Sequence, residues 1–157
     1  TGAAWGSRGT PTPIATEARK HQIETLVFPK TLDECFDLFA NGYGGGGCSG
    51  FSYSNERDDW GQSPRTRAGW SHAMAWGGSD DTPECHEKYG DCLILLLQDW
   101  GKWNSGGWSA ERYGQPLLGS FWILGRHAKA MISGGGIIFL SLFGGFKAKT
   151  RPPYVFD

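Results

Sequence analysis

The spacing of apolar and polar positions changes several times along this chain. His21 to Phe28 (HQIETLVF) alternates, as a strand with one buried face does. Pro29 ends that run. Thr31 with Glu34 three residues on forms a capping box, and Leu32, Cys35, Phe36 and Phe39 then recur at helical spacing until Asn41-Gly42 stops the helix. Trp70 to Trp76 (WSHAMAW) and Leu93 to Leu97 are short, apolar and β-prone; Gly119 to Leu124 (GSFWIL) and Gly136 to Phe143 (GIIFLSLF) read the same way, with a short helix, Arg126 to Ile132, between them.

The stretches between are polar or glycine-rich. Residues 1–20 read as a Gly/Pro/Thr loop leading into a short polar helix, Ala15 to Lys20. Tyr43 to Ser49 holds four consecutive glycines, a weak strand unless another backbone lies close against it. Residues 50–69 show no period and predict a long surface loop; Gly77 to Gly90 predicts a charged, mobile loop, and 100–118 a Trp/Gly-rich one. The tail after Phe146 is basic and extended. One main helix among short strands with long connections predicts an α+β domain on a twisted antiparallel sheet or half-barrel. Its parts are an N-terminal loop and short helix (1–20), the domain (21–146) and an extended tail (147–157).

A chain of 157 residues suits one domain with a real core. A net charge of -1 lacks the footprint of a nucleic-acid or anionic-membrane binder. The longest apolar run, Leu93 to Leu97, is too short to span a bilayer, and no basic-then-apolar start resembles a secretion signal. The 8 Trp and 25 Gly predict large rings closing a core reached through many turns. Four cysteines, Cys35, Cys48, Cys85 and Cys92, permit two disulfides without demanding them. Cys85-His86 followed by Cys92 has the look of half a zinc site, but its spacing matches no zinc pattern and no second half follows. A hairpin disulfide or free thiols is favoured over a metal, and no cofactor is implied.

Two strands carry the candidate chemistry. If Trp70–Trp76 pairs antiparallel with Leu93–Gly101 so that paired numbers sum to 170, His72 faces Gln98, Met74 faces Leu96 and Trp76 faces Ile94, all on one face. An amide beside an imidazole fixes its tautomer and ring angle, as a general base requires. Trp100, two residues beyond the amide, is placed to roof the pair and exclude water. Such a histidine serves a thiol or hydroxyl nucleophile. Cys48 is the thiol at hand, and Cys48-Ser49-Gly50-Phe51 resembles the Cys-Ser-Gly-Phe of NlpC/P60 cell-wall peptidases. Against it, residues 49–62 have no apolar stripe and are broken by Gly50 and Gly61, so no helix N-terminus lowers the thiol pKa there. A small thiol in a glycine-rich strand is the plainer reading, with Cys48 kept as fallback nucleophile.

Taken in order, the helix, "NGYGGGGCS", "GWSHAMAWGG", "LILLLQDWG" and "GSFWI" resemble the C-terminal half of papain-like cysteine peptidases. They are most similar to papain-like proteins of bacteriophages and planctomycetes, which carry Ala-Asn-Gly-Tyr, Trp-(Ala/Ser)-His-(Ala/Cys)-Met and Gly-Ser-Phe-Trp in that order. The likeness covers about residues 18–146. It implies that His72 is the catalytic histidine, Gln98 stands for the orienting Asn, Trp100 shields the pair and Gly101 follows it. It implies also that the nucleophilic Cys belongs to an N-terminal half, so that this segment would be half of a papain fold. The partners implied are that half or another virion protein, with a peptide or peptidoglycan substrate and a virion-associated location. Gln98 departs from the family's Asn by one methylene, about 1.5 Å, and the glycine run replaces a Pro-Val strand. Both departures suit an inactive descendant kept for its shape as a structural or docking module.

Other groups have plainer readings beside their sharper ones. His21, His86 and His127 lack comparable partners and read as surface groups. Trp103 and Trp108, with Asn104, suit either stacking on a sugar ring or lid packing. Arg57, Asp58 and Asp59 read as a solvated loop.

Overall fold

A computed structural model describes residues 12–18, 25–98, 119–134, 137–141 and 154–156. In chain order the elements are α1 (Thr12–Ala18), β1 (Thr25–Val27), α2 (Leu32–Ala40), β2 (Gly44–Tyr53), β3 (Arg65–Asp80), α3 (Pro83–Tyr89), β4 (Leu93–Leu97), β5 (Phe121–Leu124), α4 (Gly125–Ser133), β6 (Ile137–Ser141) and β7 (Tyr154–Phe156). The fold is α+β, and its antiparallel sheet is a nearly closed half-barrel with strand order β1-β6-β2-β3-β4-β5.

α2 forms where the capping box places it. Thr31 accepts a hydrogen bond from the Glu34 amide at 3.1 Å, and the Glu34 carboxylate reaches back to the Lys30 amide at 2.6 Å. Gly42 ends it at φ 75, where a side chain would be strained. Its buried face holds Leu32, Cys35, Phe36 and Phe39 as expected, together with Leu38 and Ala40.

Three expectations are corrected. The stretch 50–69 is not one long loop: β2 runs on to Tyr53 and β3 begins at Arg65, leaving only 54–64 outside strands. The glycine run is a strand with another backbone close against it, as its reading required: Gly44–Gly47 ladder to β6 on one side and Gly45–Gly47 to β3 on the other. Backbone pairing from both sides supplies what absent side chains cannot. Gly77–Gly90 is not a mobile loop either. β3 continues to Asp80, and α3 follows, capped by Thr82 (accepting from the Cys85 amide) and closed by Gly90 at φ 62. Finally, α3 brings the helices to four among the described residues where three were expected, and α1 begins three residues ahead of the expected Ala15. In the tail, β7 pairs with Gly78–Asp80 of β3. β4 occupies the other edge of β3 there, so β7 continues the edge that β2 leaves.

Side chains from the two faces of β4 enter different clusters. Ile94 and Leu96 join Met74, Trp76, Phe121, Ile123 and the buried faces of α2 and α4. Leu93 and Leu95 join Cys85, Trp122 and Leu124, with Trp60 and Tyr89 packed against them. Burial on both faces is why this strand is an unbroken apolar run rather than an alternating one. Residues 61–63 then pair with the outer edge of β5: the Ser63 amide donates to Trp122 O at 2.9 Å and the Trp122 amide to Gly61 O at 3.0 Å. That contact draws the sheet toward closure and covers an edge strand.

Candidate functional site

β3 turns His72, Met74 and Trp76 toward the first cluster while Ala73 and Ala75 are exposed. The pairing with β4 is not the expected one. Ala75 faces Leu97 and Trp76 faces Leu96, so paired numbers sum to 172, and a bulge at Gly77 shifts the sum to 173 from Gly78↔Leu95 onward. A slip of two residues keeps every side chain on its face, so the imidazole and the amide still share one. They meet diagonally: His72 Nε2 donates to Gln98 Oε1 at 2.9 Å. Cross-strand diagonal neighbours lie within reach of long side chains, and the methylene that distinguishes Gln from Asn supplies that extra reach. Both residues are half-buried, beside a cleft of about 430 Å³ lined also by Met74 and Leu97.

This contact sets the chemistry of the ring. With Gln98 Oε1 accepting, Nε2 carries the proton and Nδ1 of the neutral imidazole carries the basic lone pair. The amide nitrogen of Gln98 is buried and makes no hydrogen bond among the described residues. A ring held this way can take a proton at Nδ1 while keeping its Nε2 bond, and the resulting cation remains paired with the amide oxygen.

Cys48 is not brought to this pair. It faces Ala73 across β2–β3 and is exposed, whereas the buried neighbour Ser49 faces His72. Successive strand residues point to opposite faces, so the Cys48 thiol lies across the sheet from the imidazole. All four cysteines are free thiols, which removes the hairpin disulfide. Burial, reinforced by Glu34, pushes the Cys35 thiol up to about 12; burial, reinforced by Asp91 and Asp81, does the same to Cys92. Neither suits a nucleophile. Cys85 and Cys92 enter different clusters, and among the described residues no three metal-ligating side chains converge. Trp100, Gly101, Trp103, Asn104, Trp108 and His21 lie outside the described residues.

The loop 54–64 is more tightly built than a solvated loop. Asp58 Oδ1 accepts from the Trp60 and Gln62 amides at 3.0 and 2.9 Å, and Tyr89 donates to Asp58 Oδ2 at 2.6 Å. Asp59 pairs with Lys88 at 2.6 Å, which lowers its carboxyl pKa. Arg57 is half-buried, donates to Ser54 O and Ser63 Oγ, and lies 4.9 Å from the Phe121 ring centroid; burial lowers its pKa to about 10. The Asp58–Gly61 turn was the available signal, since Asx turns before Gly recur at tight loops. Of the histidines read as surface groups, His86 is exposed and bonded to Asp81 at 2.7 Å, but His127 is half-buried.

No helix among the described residues is long and apolar enough to cross a membrane. No family model, curated protein or solved structure matches the chain.

Proposed function

We propose that this chain is the histidine-bearing half of a papain-like cysteine peptidase or amidase, acting on a peptide or peptidoglycan in a virion. The observation that carries the reading is the 2.9 Å contact between His72 Nε2 and Gln98 Oε1 at the rim of a cleft. A thiol supplied from outside the described residues gives its proton to His72 Nδ1, and the thiolate adds to the substrate carbonyl carbon. The imidazolium, paired with Gln98 Oε1, then returns that proton to the leaving amine as the C–N bond breaks. Water, deprotonated by the same nitrogen, releases the acyl group from sulfur. Trp100 stands two residues beyond the amide, where its indole would shield the pair. In the complete protein, His72→Ala is expected to abolish thiol-dependent hydrolysis; undiminished activity removes His72 from the mechanism.

A second reading is favoured by the position of Cys48 on the far side of the sheet. In it, the fold is a structural or docking component of a virion that retains the imidazole–amide pair without a thiol to serve. The two part on labelling by an electrophilic peptide probe of the complete protein carrying Cys48→Ser. Stoichiometric, His72-dependent labelling supports the peptidase, and no labelling supports the structural component.

A further inference from the structure

At the far end of β3 from His72, basic side chains from two elements line one cleft of about 600 Å³. Arg65 and Arg67, two apart on β3, supply one wall. Arg126 and His127, in the first turn of α4, supply the other, with the Gln62 amide and Thr66 between them. Five residues of strand at about 3.3 Å each separate Arg67 from His72 by roughly 16 Å, so this cleft is distinct from the candidate catalytic pair.

The charges here are not arranged for the stability of the protein by itself. α4 has no acidic residue in its first turn, and its N-cap, Leu124, makes no side-chain capping bond. A helix N-terminus carries partial positive charge and favours anions, yet Arg126 and His127 occupy it. One carboxylate, Asp91, lies at this end. It accepts from the Arg126 amide at 2.9 Å and lies 3.5 Å from the guanidinium, while its other oxygen accepts from the Cys92 amide. Three guanidinium charges less this one carboxylate leave two positive charges. Arg65 is braced flat against the Phe51 ring at 3.4 Å, and Arg67 makes no hydrogen bond or ion pair among the described residues. The His127 Nδ1 atom is buried without a partner. Burial, then Arg126 and Arg65, lower the pKa of that ring, so the arginines are close enough to be felt there.

We propose that this cleft binds a phosphate group, either as the free ion or at the end of a small phosphomonoester. A dianion matches the two uncompensated charges, and a tetrahedral oxyanion offers the guanidinium forks paired acceptor oxygens. A singly charged carboxylate would leave one charge unmatched.

Calorimetric titration of the full chain with inorganic phosphate, glycerol phosphate and malonate, at constant ionic strength in chloride, tests this. Saturable one-to-one binding of phosphate is expected, with Arg65→Ala and Arg67→Ala each weakening it about tenfold and Lys88→Ala leaving it unchanged. Tighter binding of glycerol phosphate assigns the site to an ester, and equal or weaker binding assigns it to the free ion. Since Arg67 is exposed, Arg67→Ala should keep the wild-type melting temperature in chloride, while Arg65→Ala, which gives up the Phe51 contact, should lower it slightly. Arg67→Lys, which keeps the charge but not the fork, gives an intermediate loss. The His127 ring provides a second readout, since its pKa should rise when phosphate binds. No saturable phosphate binding, malonate bound more tightly than phosphate, or unchanged affinity in the two alanine variants would overturn the proposal.

Discussion

His72 and Gln98 touch through Nε2 and Oε1 at 2.9 Å although their strands pair two residues away from the register that would set them directly opposite. The contact therefore depends on side-chain length as well as position. Gln98→Asn shortens the reach by about 1.5 Å and should lose the bond, behaving like Gln98→Ala. Nitrogen chemical shifts of the His72 ring should show one Nε2-protonated tautomer in the wild type and a mixture in both variants. A single retained tautomer in Gln98→Asn would show that reach is not what the glutamine provides. Since the group is half-buried, the cost in stability should be only about 1 kcal/mol.

The register itself turns on Gly77. The bulge there lets Trp76 face Leu96 while Gly78 faces Leu95, and a Cβ on Gly77 would lie 2.5 Å from Leu97 Cδ1 and 2.7 Å from its Cγ. Gly77→Ala should cost about 1–3 kcal/mol through overpacking. Adding Leu97→Ala should recover part of that loss, because the three atoms nearest the added Cβ all belong to that side chain. Urea unfolding of the two single variants and the double one gives the coupling directly.

What the sequence disclosed and what it hid follow from where burial generates periodicity. α2 was legible because its cap and its apolar stripe agree. The face shared by His72, Met74 and Trp76 was legible because alternation survives a slip of two residues. The register was not, since nothing in the residue pattern announces a bulge at Gly77. Nor was the start of β3: Arg65 to Gly69 show no alternation of buried and exposed positions, and besides its backbone ladder this stretch meets β2 through polar side chains, Arg65 over the Phe51 ring and Thr66 on Ser52 O. α3 had sequence signals, Thr82 before Pro83 and Gly90 at its end, but its one buried residue is Cys85. A helix of two turns that buries a single side chain leaves no stripe to find. The basic cleft escaped for a related reason, because Arg65 and Arg67 meet Arg126 and His127 only after the sheet has curved.

The cysteines predict a pH dependence. The Cys35 and Cys92 thiols are pushed up to about 12 from an ordinary value of 9.0. A raised folded pKa means that the unfolded chain gives up its protons first. The contribution of these two thiols is thus flat below pH 9 and falls as pH rises from about 9 toward 12, by up to about 1.4 kcal/mol per pH unit for each thiol. Urea midpoints between pH 8.5 and 10.5 should fall less steeply in Cys92→Ala than in the wild type. With Ellman's reagent at pH 8 the exposed Cys48 should react promptly, and Cys35, Cys85 and Cys92 only after unfolding. An equal slope in the variant, or prompt reaction of the buried thiols, would contradict this.

Closure of the sheet makes the last prediction. Residues 61–63 reach β5 because Asp58 shapes the turn before them and Tyr89 of α3 holds that carboxylate at 2.6 Å. Trp60 meets the Tyr89 ring edge-on, with centroids 5.6 Å apart. Tyr89→Phe keeps the ring contact but leaves Asp58 Oδ2 without its donor, at a cost of about 1–2 kcal/mol. Asp58→Ala also strips the Trp60 and Gln62 amides of their acceptor and should cost more, about 2–3 kcal/mol. The two losses should not add in the double variant, because both single variants remove the same Tyr89–Asp58 hydrogen bond. Hydrogen exchange gives the structural reading: the Ser63 and Trp122 amides, which form the closing bonds, should lose protection in Asp58→Ala well before the amides of β4. If they exchange no faster than in the wild type, the turn does not hold the sheet closed.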